Sequence, residues 1–263
     1  MERSDALALA LGLADIADDI TMARFRARDL HVDTKPDLTP VTEADRAVER
    51  ALRDRLADHP DHAVLGEEYD DHVPADAEFH WVIDPIDGTK NYVRGVPVWA
   101  TLIGLEHRGE LVLGVVSAPA LSMRWWGGPG LGAFRDGEPI AVSDVGELGD
   151  AQLSFVWDTA ETFHAGGLDD RLLALADRCW RTRGIGDFWQ HMLVAEGAFD
   201  IAVDPVVARW DIAALIPILE AAGGRWSALD GTRGTAATGF VATNGRLHDA
   251  AIGALAPPGP RPA

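Results

Sequence analysis

Two carboxylates three residues apart, Asp84 and Asp87, close an apolar run (Phe79, Trp81, Val82, Ile83), with Pro85 between them and Gly88 and Thr89 directly behind. The run reads as a buried strand that stops at Pro85, where φ is fixed and a donor is lost. Carboxylates on a short rigid turn can share hard cations such as Mg²⁺, which take oxygen ligands. Gly88 lets a phosphate come close to the backbone, and the N–H groups that follow can cradle it as an anion nest. The Thr89 hydroxyl is placed to orient a water. Cation, cradle and polarised water together point to phosphate ester hydrolysis. The plainer alternative is a turn alone, because Asp-Pro and Asp-Gly are ordinary turn formers.

Four further acidic residues bear on that chemistry. Glu67 and Glu68 follow Gly66 at the end of a short apolar stretch. Adjacent glutamates are usually solvated, yet one facing inward would be a third carboxylate for a cation. Thr42 and Asp45 have the spacing of a helix capping box, and Asp45 could serve near a metal as well. Asp211 opens an apolar helical stretch, where it suits the helix dipole or, held rigid, a cation.

These acids lie far apart in the chain, so the fold must gather them. Leu9, Leu13, Ile16 and Ile20, extended by Phe25, predict an amphipathic helix over 3–28. Residues 31–41 are polar and broken by proline, a loop or hairpin that could lie over a site. A second helix is predicted over 42–57 and a strand over 63–65. From 98 to 142 the pattern is β, with a hairpin around Arg108-Gly109-Glu110. A polar stretch over 143–150 suggests a division into subdomains 1–145 and 146–256, with 257–263 a disordered tail. The second part alternates: strands over 153–157, 181–185, 199–203, 225–228 and 239–243, helices over 168–180, 187–197, 210–222 and 244–255. Such alternation favours an α/β layer. Pro217 should kink the 210–222 helix or remove a hydrogen bond from it.

Composition narrows the partners. The 263 residues carry a formal charge of −19 and no Lys/Arg block, so nucleic acid and anionic membrane surfaces are poor partners. A negative protein that handles phosphate needs bound cations for local compensation. Cys179 is the single cysteine, which excludes an internal disulfide. There is no signal-peptide layout, and no apolar run reaches the ~18 residues of a membrane span. The reading is a soluble cytoplasmic protein.

Gly66-Glu67-Glu68, the string from Asp84 to Tyr92, and Trp210-Asp211-x-Ala213-Ala214 leading to Gly223-Gly224 resemble the three signatures of the inositol monophosphatase family, in the family's order. The resemblance spans nearly the whole chain. It implies a layered α/β sandwich, with an antiparallel sheet in the first half, a mixed sheet in the second, and helices between and outside. It implies metal ligation by Glu67, Asp84, the Ile86 carbonyl, Asp87 and Asp211. Glu67 and Thr89 would activate water, with Thr42 and Asp45 matching a position near a third metal. Asp87 and the N–H groups of Gly88 and Thr89 would hold phosphate. Two or three Mg²⁺ (or Mn²⁺), Li⁺ sensitivity and a homodimer complete the implied picture.

Substrate contacts are expected from the second half. The string Gly186-Asp187-Phe188-Trp189-x-His191-Met192 resembles the family's histidinol-phosphate phosphatase branch, which acts in histidine biosynthesis. Histidinol phosphate carries an ammonium group that Asp187 and Asp204 could pair with; Arg183 and Asp211 join them as expected substrate contacts. Against this, Asp187 suits a helix N-cap, Asp204-Pro205 suits a turn, and His191 suits packing or a hydrogen bond in its helix. Inositol phosphate, fructose bisphosphate and phosphoadenosine phosphate are the alternative esters.

Overall fold

Chain order alone does not define the two units of this structure: residues 1–139 pack with 209–221, and residues 140–208 with 222–263. One cut near residue 145 would separate Arg209–Ala221 from the strands it lies on. The computed structural model describes residues 2–36, 38–69, 77–156, 167–234 and 239–257. Trp157, at the end of an expected strand, and positions 258–263 of the expected disordered tail lie outside the described residues.

In chain order the first unit holds α1 (Arg3–Arg24), β1 (Val32–Thr34), β2 (Pro40–Thr42), α2 (Glu43–Leu56), β3 (His62–Gly66), β4 (Phe79–Asp87), α3 (Thr89–Val93), β5 (Ala100–His107), β6 (Glu110–Ala118), β7 (Met123–Gly128), β8 (Gly132–Arg135) and β9 (Glu138–Pro139). Then come β10 (Gln152–Phe155), α4 (Leu168–Ala176), β11 (Arg181–Arg183), α5 (Asp187–Ala195) and β12 (Ile201–Asp204). The chain returns to the first unit with α6 (Arg209–Ala213) and α7 (Leu215–Ala221), and ends with β13 (Arg225–Ser227), β14 (Phe240–Thr243) and α8 (His248–Leu255).

In the first unit, β1 and β2 form a hairpin, and β3 to β9 lie side by side in sequence order in a seven-stranded sheet. The sheet is antiparallel as expected, except that β3 and β4 run parallel. Helix α1 stops at Arg24 rather than near 28, because Phe25 is extended and Arg26 takes φ 62°. Phe79, Trp81, Ile83, Ile103, Leu105, Leu113 and Val115 point to one face and form a core with Leu13 of α1 and Val48, Leu52 and Leu56 of α2.

Alternation turns Gly104 and Gly114 to the opposite face. Gly104, Gly114 and Gly127 are direct cross-strand neighbours on β5, β6 and β7. A Cβ on Gly104 would stand 2.8 Å from the Ala213 carbonyl carbon, and one on Gly127 3.1 Å from the Ile218 Cα. At Gly114 the gap to the Ala214 carbonyl oxygen would be 1.9 Å. The row is a groove without side chains, in which the backbones of α6 and α7 lie directly on the sheet. The expected single helix over 210–222 is therefore two. It breaks at Ala214 because the Pro217 ring excludes the carbonyl four residues back, that of Ala213, and supplies no N–H.

The second unit has a five-stranded sheet in the order β11-β10-β12-β14-β13. The β10 pairs are parallel and the β14 pairs antiparallel, the mixed sheet expected. Leu153, Ile201, Val203 and Val241 form its core with Leu172 and Leu175 of α4, Leu247 just before α8 and Ala251 of α8. Helix α8 starts at His248, not near 244, because the Asn244 side chain accepts from the Leu247 N–H (3.1 Å) and holds a turn there.

His248 is 2 % exposed and sits between the Thr243 and Ser227 hydroxyls, 3.1 Å from each. Burial, helped by the Arg225 charge, pulls its pKa down to about 4. The unfolded chain therefore takes up this proton first. The contribution is constant above about pH 6.5 and is lost as pH falls from there towards 4, by about 2–3 kcal/mol. Urea unfolding at pH 7 and pH 4.5 should show that loss, and His248→Gln should flatten it; an unchanged pH slope in the variant would contradict the assignment.

Candidate metal and phosphate site

Asp84 and Asp87 meet because β4 is irregular. The strand does not end at Pro85 as expected but continues to Asp87 through a register shift: Asp84 faces Leu102 and Asp87 faces Ala100. Two residues, Pro85 and Ile86, thus oppose Thr101 alone, whose hydroxyl donates to the Pro85 carbonyl at 2.8 Å. A bulge tolerates proline, since no ladder N–H is required there. On a regular strand, residues three apart point to opposite faces. The extra residue cancels that alternation and turns both acids to one side.

Asp84 lies on the sheet face that carries Gly104, so the glycine groove seats α6 where Asp211 reaches it. Asp84, Asp87 and Asp211 place one ligand atom each within 4.8 Å of one another. Asp84 is 2 % exposed and accepts the Ile86 N–H at 3.0 Å. Burial pushes its carboxyl well above the ordinary range, and the charges of Glu67, Asp87 and Asp211 push the same way. Oxygen-only donors with surplus negative charge suit a hard divalent cation. The residues present therefore fit Mg²⁺.

Glu67 stands beside the cluster, close enough for its carboxylate to raise the Asp84 pKa. It is not one of the three acids that converge; it also accepts from Lys35 at 2.7 Å, as does Glu68. Burial works against the Lys35 charge, but the two glutamates outweigh it and hold the ammonium well above its usual pKa. Burial raises Glu68 to about 7 against the pull of Lys35. Lys35 comes from the turn of the β1–β2 hairpin, so the segment expected to lie over a site supplies a cation to its edge.

Thr42 and Asp45 form a complete capping box: Asp45 accepts from the Thr42 N–H at 2.8 Å and hydroxyl at 2.6 Å. Asp45 also faces Thr89, whose Oγ1 is 3.5 Å from it and 3.0 Å from the Ile86 carbonyl. The hydroxyl has one proton, and the shorter contact to Ile86 takes it. Asp45 thus caps α2 and also faces the turn that carries Thr89. Burial raises its pKa to about 6 against the Thr42 hydrogen bonds. Gly88 is left-handed (φ 84°, ψ 36°), a conformation that costs glycine little. Behind it α3 is pinned by Tyr92, which donates to the Thr21 carbonyl at 2.7 Å and packs with Ile86, Trp99 and Ala44.

In the second unit the expected substrate residues have distinct settings. Arg183 is exposed at the end of β11, its guanidinium on the Thr182 carbonyl at 2.7 Å. Asp187 is not an N-cap: Gly186 holds that place, and Asp187 itself takes φ 49°, a left-handed value aspartate tolerates better than most residues. Asp204 is bound at 2.6 Å by Nε2 of His191, which is buried and packed edge-on to Phe240. His191 therefore packs as expected, but its short hydrogen bond goes to a neighbouring strand, and the contact within its own helix, to Gln190, is a long 3.5 Å. Its spacing from Asp204 carried no signal, because the contact depends on how α5 packs on β12.

The sequence matches the profile of the inositol monophosphatase family over residues 2–257. The chain belongs to the inositol monophosphatase family. Within this family it is 52% identical over 251 residues to the histidinol-phosphatase of Mycobacterium tuberculosis (strain H37Rv), covering 93% of this chain and 95% of that protein. It is 48% identical to the histidinol-phosphatase of Streptomyces coelicolor, over 95% of this chain and 97% of that one. Among solved structures, an inositol monophosphatase from Zymomonas mobilis superposes with a TM-score of 0.84 at 32% identity, covering 97% of this chain and 99% of its own. The family fold is thus the fold of this chain, and among the described residues no helix is long and apolar enough to cross a membrane.

Proposed function

We propose that this chain is a Mg²⁺-dependent phosphomonoesterase that hydrolyses L-histidinol phosphate to L-histidinol and phosphate. The observation that carries it is the convergence of Asp84, Asp87 and Asp211 in a chain that is 52% identical to a histidinol-phosphatase. Asp84, Asp87 and Asp211, with Glu67 and the Ile86 carbonyl, would hold two or three Mg²⁺, or Mn²⁺ in their place. Bound there, the ions supply positive charge for the phosphoryl oxygens and acidify a water.

The chain's own groups do the rest. The N–H groups of Gly88 and Thr89, with Asp87, fix the phosphate at the left-handed turn. Thr89 orients the attacking water and Glu67 takes its proton, while Thr42 and Asp45 hold the Thr89 end of the turn. The water oxygen bonds to phosphorus as the ester P–O bond breaks in line, and the leaving alkoxide takes a proton from solvent. Asp204, fixed by His191, and Asp187 pair with the substrate ammonium, with Arg183 and Asp211 as further substrate contacts. Family membership also supports a homodimer, Li⁺ sensitivity and work in the cytoplasm, in histidine biosynthesis; the charge of −19 argues against nucleic acid as a partner.

Stripping metal with EDTA should abolish phosphate release and Mg²⁺ should restore it; metal-independent turnover would overturn the mechanism. Asp204→Asn should lower kcat/KM for histidinol phosphate by about 10–100-fold, the value of a hydrogen bond to a charged group, and leave esters without an ammonium unaffected. Equal loss on both kinds of ester would remove Asp204 from substrate recognition.

A further inference from the structure

The turn that carries Glu67 has a buried support. Glu49 of α2 has no solvent-exposed surface, and it meets that turn in two ways. Its Oε2 accepts the Glu68 backbone N–H at 2.7 Å. Its Oε1 occupies the place of a missing side chain: a Cβ on Gly66 would lie 2.0 Å from it. The same carboxylate is oriented from behind by Arg53, one turn along α2, which donates to Oε1 from Nε (2.9 Å) and from Nη2 (2.7 Å). Glu67 is therefore flanked on both sides by residues that fit around one buried carboxylate, Gly66 by its lack of a side chain and Glu68 by its N–H.

Burying a carboxylate is costly unless it is paired and hydrogen-bonded, and here both conditions are met on one side by Arg53 and on the other by the turn. The backbone is then held at Glu67, whose carboxylate accepts from Lys35 at 2.7 Å and whose charge acts on Asp84. Lys35 neutralises Glu67 and Glu68 but belongs to a hairpin turn, so it does not fix the backbone between them.

We infer that Glu49 is a positioning residue for the metal site: through the Glu68 N–H and the space above Gly66 it sets the backbone from which Glu67 reaches the cations. This rests on the reading of Glu67 as a metal ligand. Partners behind metal ligands typically alter metal affinity about 10–100-fold when removed.

Gly66→Ala is the decisive variant. No positive φ forbids alanine at Gly66, and the atom in the way is the end of a side chain, so the chain can fold with the Glu49 carboxylate displaced. Calorimetric titration of the full chain with Mg²⁺ alone should show affinity reduced about 10-fold or more in Gly66→Ala and in Glu49→Ala. The double variant should be no weaker than Glu49→Ala, because the new methyl group then fills the space the carboxylate left. Additive losses, or a folded Gly66→Ala chain that binds Mg²⁺ like the parent, would overturn the inference, and should Glu49→Ala fail to fold, Gly66→Ala decides alone. Glu67→Ala is titrated alongside: unchanged affinity there removes Glu67 as a ligand, whereas weakened affinity there with an intact Gly66→Ala removes only the role of Glu49.

Discussion

Asp84→Asn is expected to raise the melting temperature of the metal-free protein while it destroys the enzyme. Asp84 is 2 % exposed and lies among Glu67, Asp87 and Asp211, so its negative charge is unfavourable in the absence of cations. Asparagine keeps the shape and the acceptor for the Ile86 N–H at 3.0 Å, and removes the charge. The same charge holds the metal in the proposed reaction. Its loss should lower kcat/KM about 1,000-fold or more, about 4 kcal/mol of transition-state stabilisation. Thermal unfolding in EDTA and in excess Mg²⁺ reads both effects: the parent gains stability from Mg²⁺, and the variant starts higher and gains little. A variant less stable in EDTA, or one that keeps its activity, would contradict the role assigned to Asp84.

Gly114→Ala should be the most damaging of the groove substitutions. Its Cβ would stand 1.9 Å from the Ala214 carbonyl oxygen, a backbone atom that cannot swing aside. Either α6 and α7 lift from the sheet or β6 bends. Overpacking of this kind costs about 1–3 kcal/mol. The second consequence is catalytic: Ala214 lies three residues beyond Asp211, and a displacement of about 1 Å at a reacting centre can cost about 100-fold in rate. Gly12→Ala is the control, since nothing lies within 4 Å of its added Cβ. In α1 it should be neutral or stabilising by about 0.5–1 kcal/mol. Loss of stability in Gly114→Ala with full activity would show that Asp211 does not depend on the groove.

The residues of the site were legible because their chemistry is local. Asp84, Asp87, Gly88 and Thr89 stand in one string, and Asp211 opens a recognisable apolar stretch. What brings them together was not legible. The bulge at Pro85 and Ile86 depends on the register with Thr101, sixteen residues away, so the sequence suggested that the strand stops where it in fact continues. The glycine groove becomes visible only when Gly104, Gly114 and Gly127 are paired across three strands. Pro217 marks a perturbation from its residue type alone, and its effect is to divide one helix in two. Lys35 and Glu49 had no local signature: each acts on Glu67 or its neighbours from more than fifteen residues away, through tertiary contact.

The most direct measurement is kcat/KM for phosphate release, with Mg²⁺ present, on L-histidinol phosphate, inositol 1-phosphate, 3′-phosphoadenosine 5′-phosphate and fructose 1,6-bisphosphate under identical conditions. The proposed function predicts a marked preference for histidinol phosphate and no release from any of them in EDTA. A preference for inositol phosphate would contradict the substrate assignment, and absence of Mg²⁺-dependent release from all four would contradict the proposed chemistry itself.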